Sequence, residues 1–201
     1  MSQTTISRGE RTRQAILDAA YELMIEQGYA ATSMRQIADH AGLALGGIYN
    51  HFSSKDDVFL AIVEERHPFL QIIPIMNSVK GKNVEDFVRK SAHTLVDELG
   101  RHPDFLNLLL IEIVEFKGEH VPKIFNKIFP VILPIGEKLA SLNGEQRSIP
   151  PVVLVRAFLG MFFSYYITEI LIGRALPPKM QVNALDYFVD IFLHGVLKES
   201  A

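Results

Sequence analysis

The reactive side chains of this 201-residue chain are seven histidines and 23 Asp and Glu, with no cysteine. The missing cysteine removes disulfides, thiolate metal ligands and a thiol nucleophile. The histidines are scattered, with no His-Glu-x-x-His pair for zinc, no nucleophile elbow and no glycine-rich phosphate loop. His93 with Asp97, and Glu98 with His102, stand one helical turn apart and can reach a common metal, but a solvated helix face accounts for them better. Glu112, Glu115 and Glu169 interrupt apolar segments. A buried carboxylate needs a partner, either an internal Arg or a cationic ligand, and the internal partner is favoured. Catalysis, a metal and a cofactor are therefore not expected.

Charge gives a second chemistry to weigh. Twenty Lys and Arg leave a net charge of −3, an average that argues against nucleic acid, whose phosphates are bound by cationic side chains. The distribution reads differently. Residues 1–55 hold five basic side chains (Arg8, Arg11, Arg13, Arg35, Lys55) against five acids, and the remainder carries the whole deficit. Arg8, Arg11 and Arg13 against Glu10 make an N-terminal tail of +2, able to reach a phosphate or a minor groove.

Almost every segment that must hold these groups has the helical period, and no strand pattern competes. Ser7-x-x-Glu10 opens the first helix, which carries Ile16, Leu17, Ala20, Leu23 and Met24 and stops at Gly28, in the place of a left-handed cap. Ser33-x-x-Gln36 opens a second, which Gly42 breaks after two turns. A short segment from Ala44 to Phe52 follows, then a cap at Ser53-Ser54 with acids in the next turn. Longer helices run from Val58 to His67, where Pro68 ends or kinks the chain, with Pro74 and Gly81 closing that region. Others cover Val84–Gly100, Asp104–Phe116 and a stretch from Pro122 bent by Pro130 and Pro134. A loop from Leu142 to Pro151 precedes the last two, Val152–Ile172 and about Met180–Leu197. This is an all-α protein of about nine helices. Mean hydropathy is +0.17, but the longest apolar stretch, Ala157 to Thr168, runs only twelve residues. A membrane span needs about 20, so a buried helix is expected. The polar MSQTTISRGERTRQ opening gives no export signal, and a cytoplasmic protein is expected.

Three short helices with a tight glycine turn between the second and third are the outline of a helix-turn-helix, over about residues 33–52. The run Thr32-Ser33-Met34-Arg35-Gln36-Ile37-Ala38-Asp39-His40-Ala41-Gly42-Leu43 resembles the first half of the DNA-binding domain of the TetR (tetracycline-repressor) family. Gly46-Gly47-Ile48-Tyr49-Asn50-His51-Phe52-Ser53-Ser54-Lys55 looks like its recognition helix and following turn, and Ile16 to Ala20 with Gly28-Tyr29 match its first helix. The resemblance is dense over about Arg11 to Ala61 and architectural beyond. It implies a DNA-binding domain at 8–68 and an effector-binding and dimerisation domain at 69–201. Leu43, Ile48 and Phe52 would form the inner face of the third helix. Ser33, Arg35, Tyr49, His51 and Lys55 would meet phosphates, and Ala44, Leu45, Gly47 and Asn50 would face bases, Asn50 toward an adenine edge. Two alternatives stand beside this: a Tyr49 ring packed on the first helix, and Leu45 tucked against its own domain rather than on a thymine methyl. Ala44 stands where the family commonly has a Ser or Thr cap, and Gly46-Gly47 costs about 1 kcal/mol per glycine in a helix.

The apolar stripe Leu185, Phe188, Val189, Phe192, Leu193, Val196 and Leu197, widened by Ala184 and Ile191, suggests burial against more than one neighbour. With the helix before it, this would make half of a homodimer interface. A ligand pocket is expected among Phe105, Leu109, Glu112, Phe116, Phe125, Phe129, Phe162, Tyr166 and Glu169, although aromatics at helical spacing are more often plain core. The resemblance implies a ligand-responsive repressor that binds palindromic operator DNA as a homodimer and is released by a small, largely apolar effector. The helix after Lys55, as the only covalent bridge, would transmit the signal. The competing reading is a helical small-molecule binding protein or enzyme without a DNA-binding role.

Overall fold

The computed structural model describes residues 7–142, 147–177 and 183–196. Among them the chain forms ten α-helices and no strand. In order these are α1 (Arg8–Gln27), α2 (Met34–His40), α3 (Leu45–Ile48), α4 (Lys55–Arg66), α5 (Phe69–Ser78), α6 (Val84–Gly100), α7 (Phe105–Val114), α8 (Val121–Ser141), α9 (Pro151–Leu171) and α10 (Ala184–Val196), with a 3-10 turn at Gly173–Ala175. The all-α reading holds. The helix beyond the expected nine is α5: Pro68 ends α4 and starts a new helix, and Pro74 lies inside that helix instead of closing the region. Lone prolines leave that choice open in sequence. The Asn143-Gly144 loop centre, the Met180 start and Leu197 end of the last helix, and the Val196 side chain lie outside the described residues.

The chain divides into two compact units. The first holds the described residues up to His67 together with Asp104–Phe125; the second holds Pro68–Pro103 and the described residues from Asn126 onward. Segment 104–125 thus joins the N-terminal helices, a grouping that sequence order does not suggest.

The core of the first unit gathers Ile16, Leu17, Ala20 and Met24 of α1, Ile37 and Ala38 of α2, Ile48 of α3, and Val58, Phe59 and Ile62 of α4. Leu108 and Ile111 of α7 complete it, with Phe116 and Ile124 packed alongside. Each large apolar side chain buried here contributes about 2 kcal/mol. Arg66 pairs with Asp18, and the Tyr21 hydroxyl donates to Asp104 at 3.0 Å.

In the second unit, α6 packs against α5, α9 and α10. Phe158, Phe162 and Phe192 form a ring cluster with centroids 4.7–6.0 Å apart. The Tyr166 hydroxyl donates to the carbonyl of Leu99 at 2.9 Å, and Arg89 on α6 spans Asp186 and Asp190 on α10 at 2.8 and 2.9 Å. Helix α9 is long and apolar enough to cross a membrane by length and composition, with a mean hydropathy of 1.5, but only 33% of that window is buried. The expectation of a buried helix is therefore half met. One face (Leu154, Val155, Phe158, Phe162, Tyr165, Tyr166) is buried, while Val152 and Val153 are exposed, as are Tyr187 and Ile191 on α10.

Candidate nucleic-acid interface

Local bonds shape the helix-turn-helix before packing does. The Ser33 hydroxyl accepts from the Gln36 N–H at 3.3 Å and donates to Gln36 Oε1 at 2.7 Å, while Oε1 accepts from the Ser33 N–H at 2.8 Å. This reciprocal box satisfies amides that the first turn of α2 leaves open. The helix stops because Gly42 takes φ +68°, a left-handed conformation that side chains resist, and Leu43 N–H closes back on the Ala38 carbonyl at 2.8 Å. The chain then re-enters helix at α3, a single turn whose N-cap, Ala44, makes no side-chain bond. Amides of His51 and Phe52 donate to the Ile48 carbonyl at 3.0 Å and extend the turn.

Packing then sets which side chains face out. Ile48 and Phe52 are buried and Leu43 is half-buried against the same core, as the inner-face reading expects. Ser33, Arg35, Ala44 and Asn50 are exposed, and Gly47 and His51 half-buried. Tyr49 is 52% exposed, so its ring is not packed away on α1. Leu45 is 36% exposed, with the larger part of its surface covered by its own domain. A Cβ placed on Gly46 or Gly47 would meet nothing within 4 Å, so nothing within the chain requires glycine at either place.

Lys55 is held more tightly than a surface anchor would be. Its ammonium donates to the carbonyls of Tyr29 and Thr32 at 2.6 and 2.7 Å and sits 4.0 Å from the centroid of the Tyr29 ring. Burial lowers its pKa, and one N–H is left for an outside acceptor. The expected N-terminal tail is likewise corrected. Arg8 and Arg11 lie in the first turns of α1, and Arg13 makes a two-pronged pair with Glu65, its guanidinium 5.3 Å from the Phe52 ring centroid. Those bonds raise the Arg13 pKa and hold its charge against the protein.

Sequence reasoning missed a joint beneath the reader. Lys117 and Gly118 take φ +54° and +82°, turning the chain sharply after α7. The turn folds His120 back onto Glu112: Oε1 accepts from the His120 N–H at 2.8 Å and Oε2 lies 2.9 Å from Nδ1. Glu112 thus has the internal partner that its burial demands, a histidine rather than an arginine, whereas Glu115 and Glu169 are exposed and need none. The Phe116 ring lies 4.5 Å from His120, 4.8 Å from Phe59 and 4.9 Å from Tyr29. Tyr29 donates to Asp56, so contact runs unbroken from Lys55 to Glu112.

The nine expected pocket residues do not gather in one unit. Phe105, Leu109, Glu112, Phe116 and Phe125 belong to the first; Phe129, Phe162, Tyr166 and Glu169 belong to the second. Phe125 is 54% exposed. A small cavity does open within the second unit, beside α6, and none of the nine lines it. Among the described residues, no group of three or more His, Asp or Glu is placed to hold a metal.

A capped α2, a glycine-broken turn and an outward-facing α3 on a closed core define a helix-turn-helix regulator. Residues 16–62 match the model of the bacterial regulatory proteins of the TetR family. Over 191 residues the chain is 21% identical to the HTH-type transcriptional regulator YvkB of Bacillus subtilis (strain 168), covering 92% of this chain and 97% of that one. It shares its fold with NalD, the secondary repressor of the MexAB-OprM multidrug efflux pump in Pseudomonas aeruginosa, with a TM-score of 0.63, 21% identity and 95% and 99% of the two chains covered. It also resembles SmeT, solved as a triclosan complex, with a TM-score of 0.64, 22% identity and 94% and 93% covered. Residues 16–62 therefore carry a DNA-binding module of the TetR-family type, and the whole chain has the fold of those solved proteins.

Proposed function

We propose that this chain is a ligand-responsive repressor that binds a palindromic operator as a homodimer and is released by a small, largely apolar effector. The observation that carries the reading is the outward set Arg35, Tyr49 and Asn50 on a helix-turn-helix whose inner set, Ile48 and Phe52, is buried. Arg35, Tyr49, His51 and the remaining donor of Lys55 meet phosphates, with the capped end at Ser33 facing the same strand. Asn50 reads a base edge, and Ala44, Leu45 and Gly47 let the helix sit close, with Leu45 against a thymine methyl.

The half-buried α9 supports the dimer. An apolar helix whose outer face carries Val152 and Val153, beside a neighbour presenting Tyr187 and Ile191, leaves an area that water does not favour. A second copy covers it and sets two readers about 34 Å apart, one turn of DNA. NalD is a repressor and SmeT has been solved as a complex with triclosan, which supports repression and ligand release. Work on operator DNA fits a protein of the cytoplasm.

An effector acts by favouring the state in which the two readers no longer fit the operator. The expectation of a single covalent bridge does not hold, because the chain passes between the units after His67, Pro103 and Phe125. The signal therefore has three covalent routes, two of them through segment 104–125. A gel-shift with the DNA flanking its own gene, with and without hydrophobic compounds, tests the whole reading. Retarded DNA that such a compound frees is the expected result; no retardation of that DNA overturns it.

A further inference from the structure

Lys55 takes its place from a loop rather than from its own helix. Its two acceptors, the carbonyls of Tyr29 and Thr32, lie between α1 and α2, and its ammonium rests 4.0 Å from the Tyr29 ring centroid. An ammonium is a compact charge on a flexible stem, so it goes where its acceptors and the ring face are held. Tyr29 is held in turn. Asp56 accepts from its hydroxyl and the Phe59 ring meets it edge-on at 5.7 Å, both from α4, the helix that Lys55 begins. The Phe116 ring meets Tyr29 at 4.9 Å and 67° and stacks on Phe59 at 4.8 Å and 8°. Of these three, Phe116 comes from the later stretch of chain at Asp104–Phe125.

Phe116 is itself fixed by the turn that follows α7. Lys117 takes φ +54°, which a side chain resists, and such a conformation persists only where its surroundings impose it. Here the Gly118 N–H donates to the Glu112 carbonyl at 3.1 Å, and the Glu119 N–H to that of Phe116 at 3.0 Å. The Glu112 carboxyl accepts the His120 N–H and meets its ring, which lies 4.5 Å from Phe116. Apolar packing serves stability as well as a buried carboxyl does; the directional bonds add a fixed place for the ring. The same turn delivers charge as well: burial lowers the Lys55 pKa, and the carboxylates of Asp56 and Glu115 oppose it.

We propose that Phe116 and the Glu112–His120 clasp are positioning residues for DNA binding: they set Tyr29, and through it place the Lys55 ammonium against a phosphate. The proposal rests on the reading of Lys55 as a phosphate contact. Its test is a double-mutant cycle on the full-length protein, titrated across salt with the DNA flanking its own gene, each variant well below its melting temperature. Lys55→Met removes one contact per reader and lowers the slope of log affinity on log salt by about one per reader. Phe116→Leu, which keeps an apolar side chain but no ring, weakens binding about fivefold and lowers that slope. The loss is the same on an unrelated duplex, since a phosphate carries no sequence. His120→Ala, which opens the clasp, acts in the same direction. In a Lys55→Met background neither change costs further affinity. Leu108→Ala, which truncates a buried residue of the same core, lowers the melting temperature and leaves the slope alone. A parental slope in Phe116→Leu, an undiminished loss in the Lys55→Met background, or a slope that Leu108→Ala lowers as much overturns the proposal. A protein that retards no DNA, or whose slope Lys55→Met leaves unchanged, sinks the phosphate reading and the proposal with it. A working Lys55 contact that Phe116→Leu does not touch sinks the proposal alone.

Discussion

The two units satisfy their buried polar groups to different degrees. In the first, Glu112 closes on His120, Tyr21 on Asp104, Tyr29 on Asp56, and Lys55 on two carbonyls. In the second, Ser91 is left without a partner, and two of the helices around it carry internal prolines. A fully bonded interior fixes one arrangement, because any shift breaks several bonds at once. The second interior, with an open hydroxyl and prolines inside two helices, has fewer such bonds to hold it.

The sharpest way to break this contrast is to truncate a buried polar group in each unit. His120→Ala removes the imidazole from Glu112 Oε2 and leaves only the backbone N–H on Oε1 of a carboxyl that is 3% exposed, and should cost about 2 kcal/mol in denaturant unfolding. Little or no loss would mean that the first unit is not held by its polar joint. A pH series comes next. Burial lowers the His67 pKa from 6.5 to about 4. The unfolded chain therefore binds more protons between those values, and stability present above pH 6.5 falls as pH drops toward 4, by at most about 3 kcal/mol. His67→Gln should flatten that limb, and an unchanged slope would remove His67 as its cause.

Smaller effects separate surface from interior. Arg35→Ala should weaken operator binding across sequences and lower the salt slope by about one per reader, while unfolding shifts by less than about 0.5 kcal/mol. A comparable loss of stability would make Arg35 a structural residue. Smallest of all is Ser91→Ala, which should leave unfolding unchanged or slightly strengthen it, since it deletes a group with no partner. A penalty like that of His120→Ala would erase the difference between the units.

What the sequence made legible was local. The Ser33–Gln36 box, the stop at Gly42 and the inward Ile48 and Phe52 depend on residues a few places apart, and residue type alone dictates them. The outward set followed, because a short helix with one buried face has only one face left. What stayed hidden depends on distance along the chain. Arg13 meets Glu65 across 52 residues, and the apolar period of α7 announces a buried face without saying what covers it. His120 reaches Glu112 only because Lys117 adopts a positive φ, a conformation that nothing in its type requires. The pocket was the least legible feature, since rings fill core and ligand walls with the same spacing.

The passage of the chain into the first unit a second time, at Asp104–Phe125, has a consequence for anyone who would take the protein apart. Cutting after His67 would free helices α1–α4 but strip from their core Leu108, Ile111 and the Phe116 ring. A hybrid regulator made by exchanging N-terminal segments at that point would join each reader to a foreign copy of its own missing wall. Exchanges that carry 104–125 along with the reader keep that wall native, and the useful seams for recombination are three rather than one.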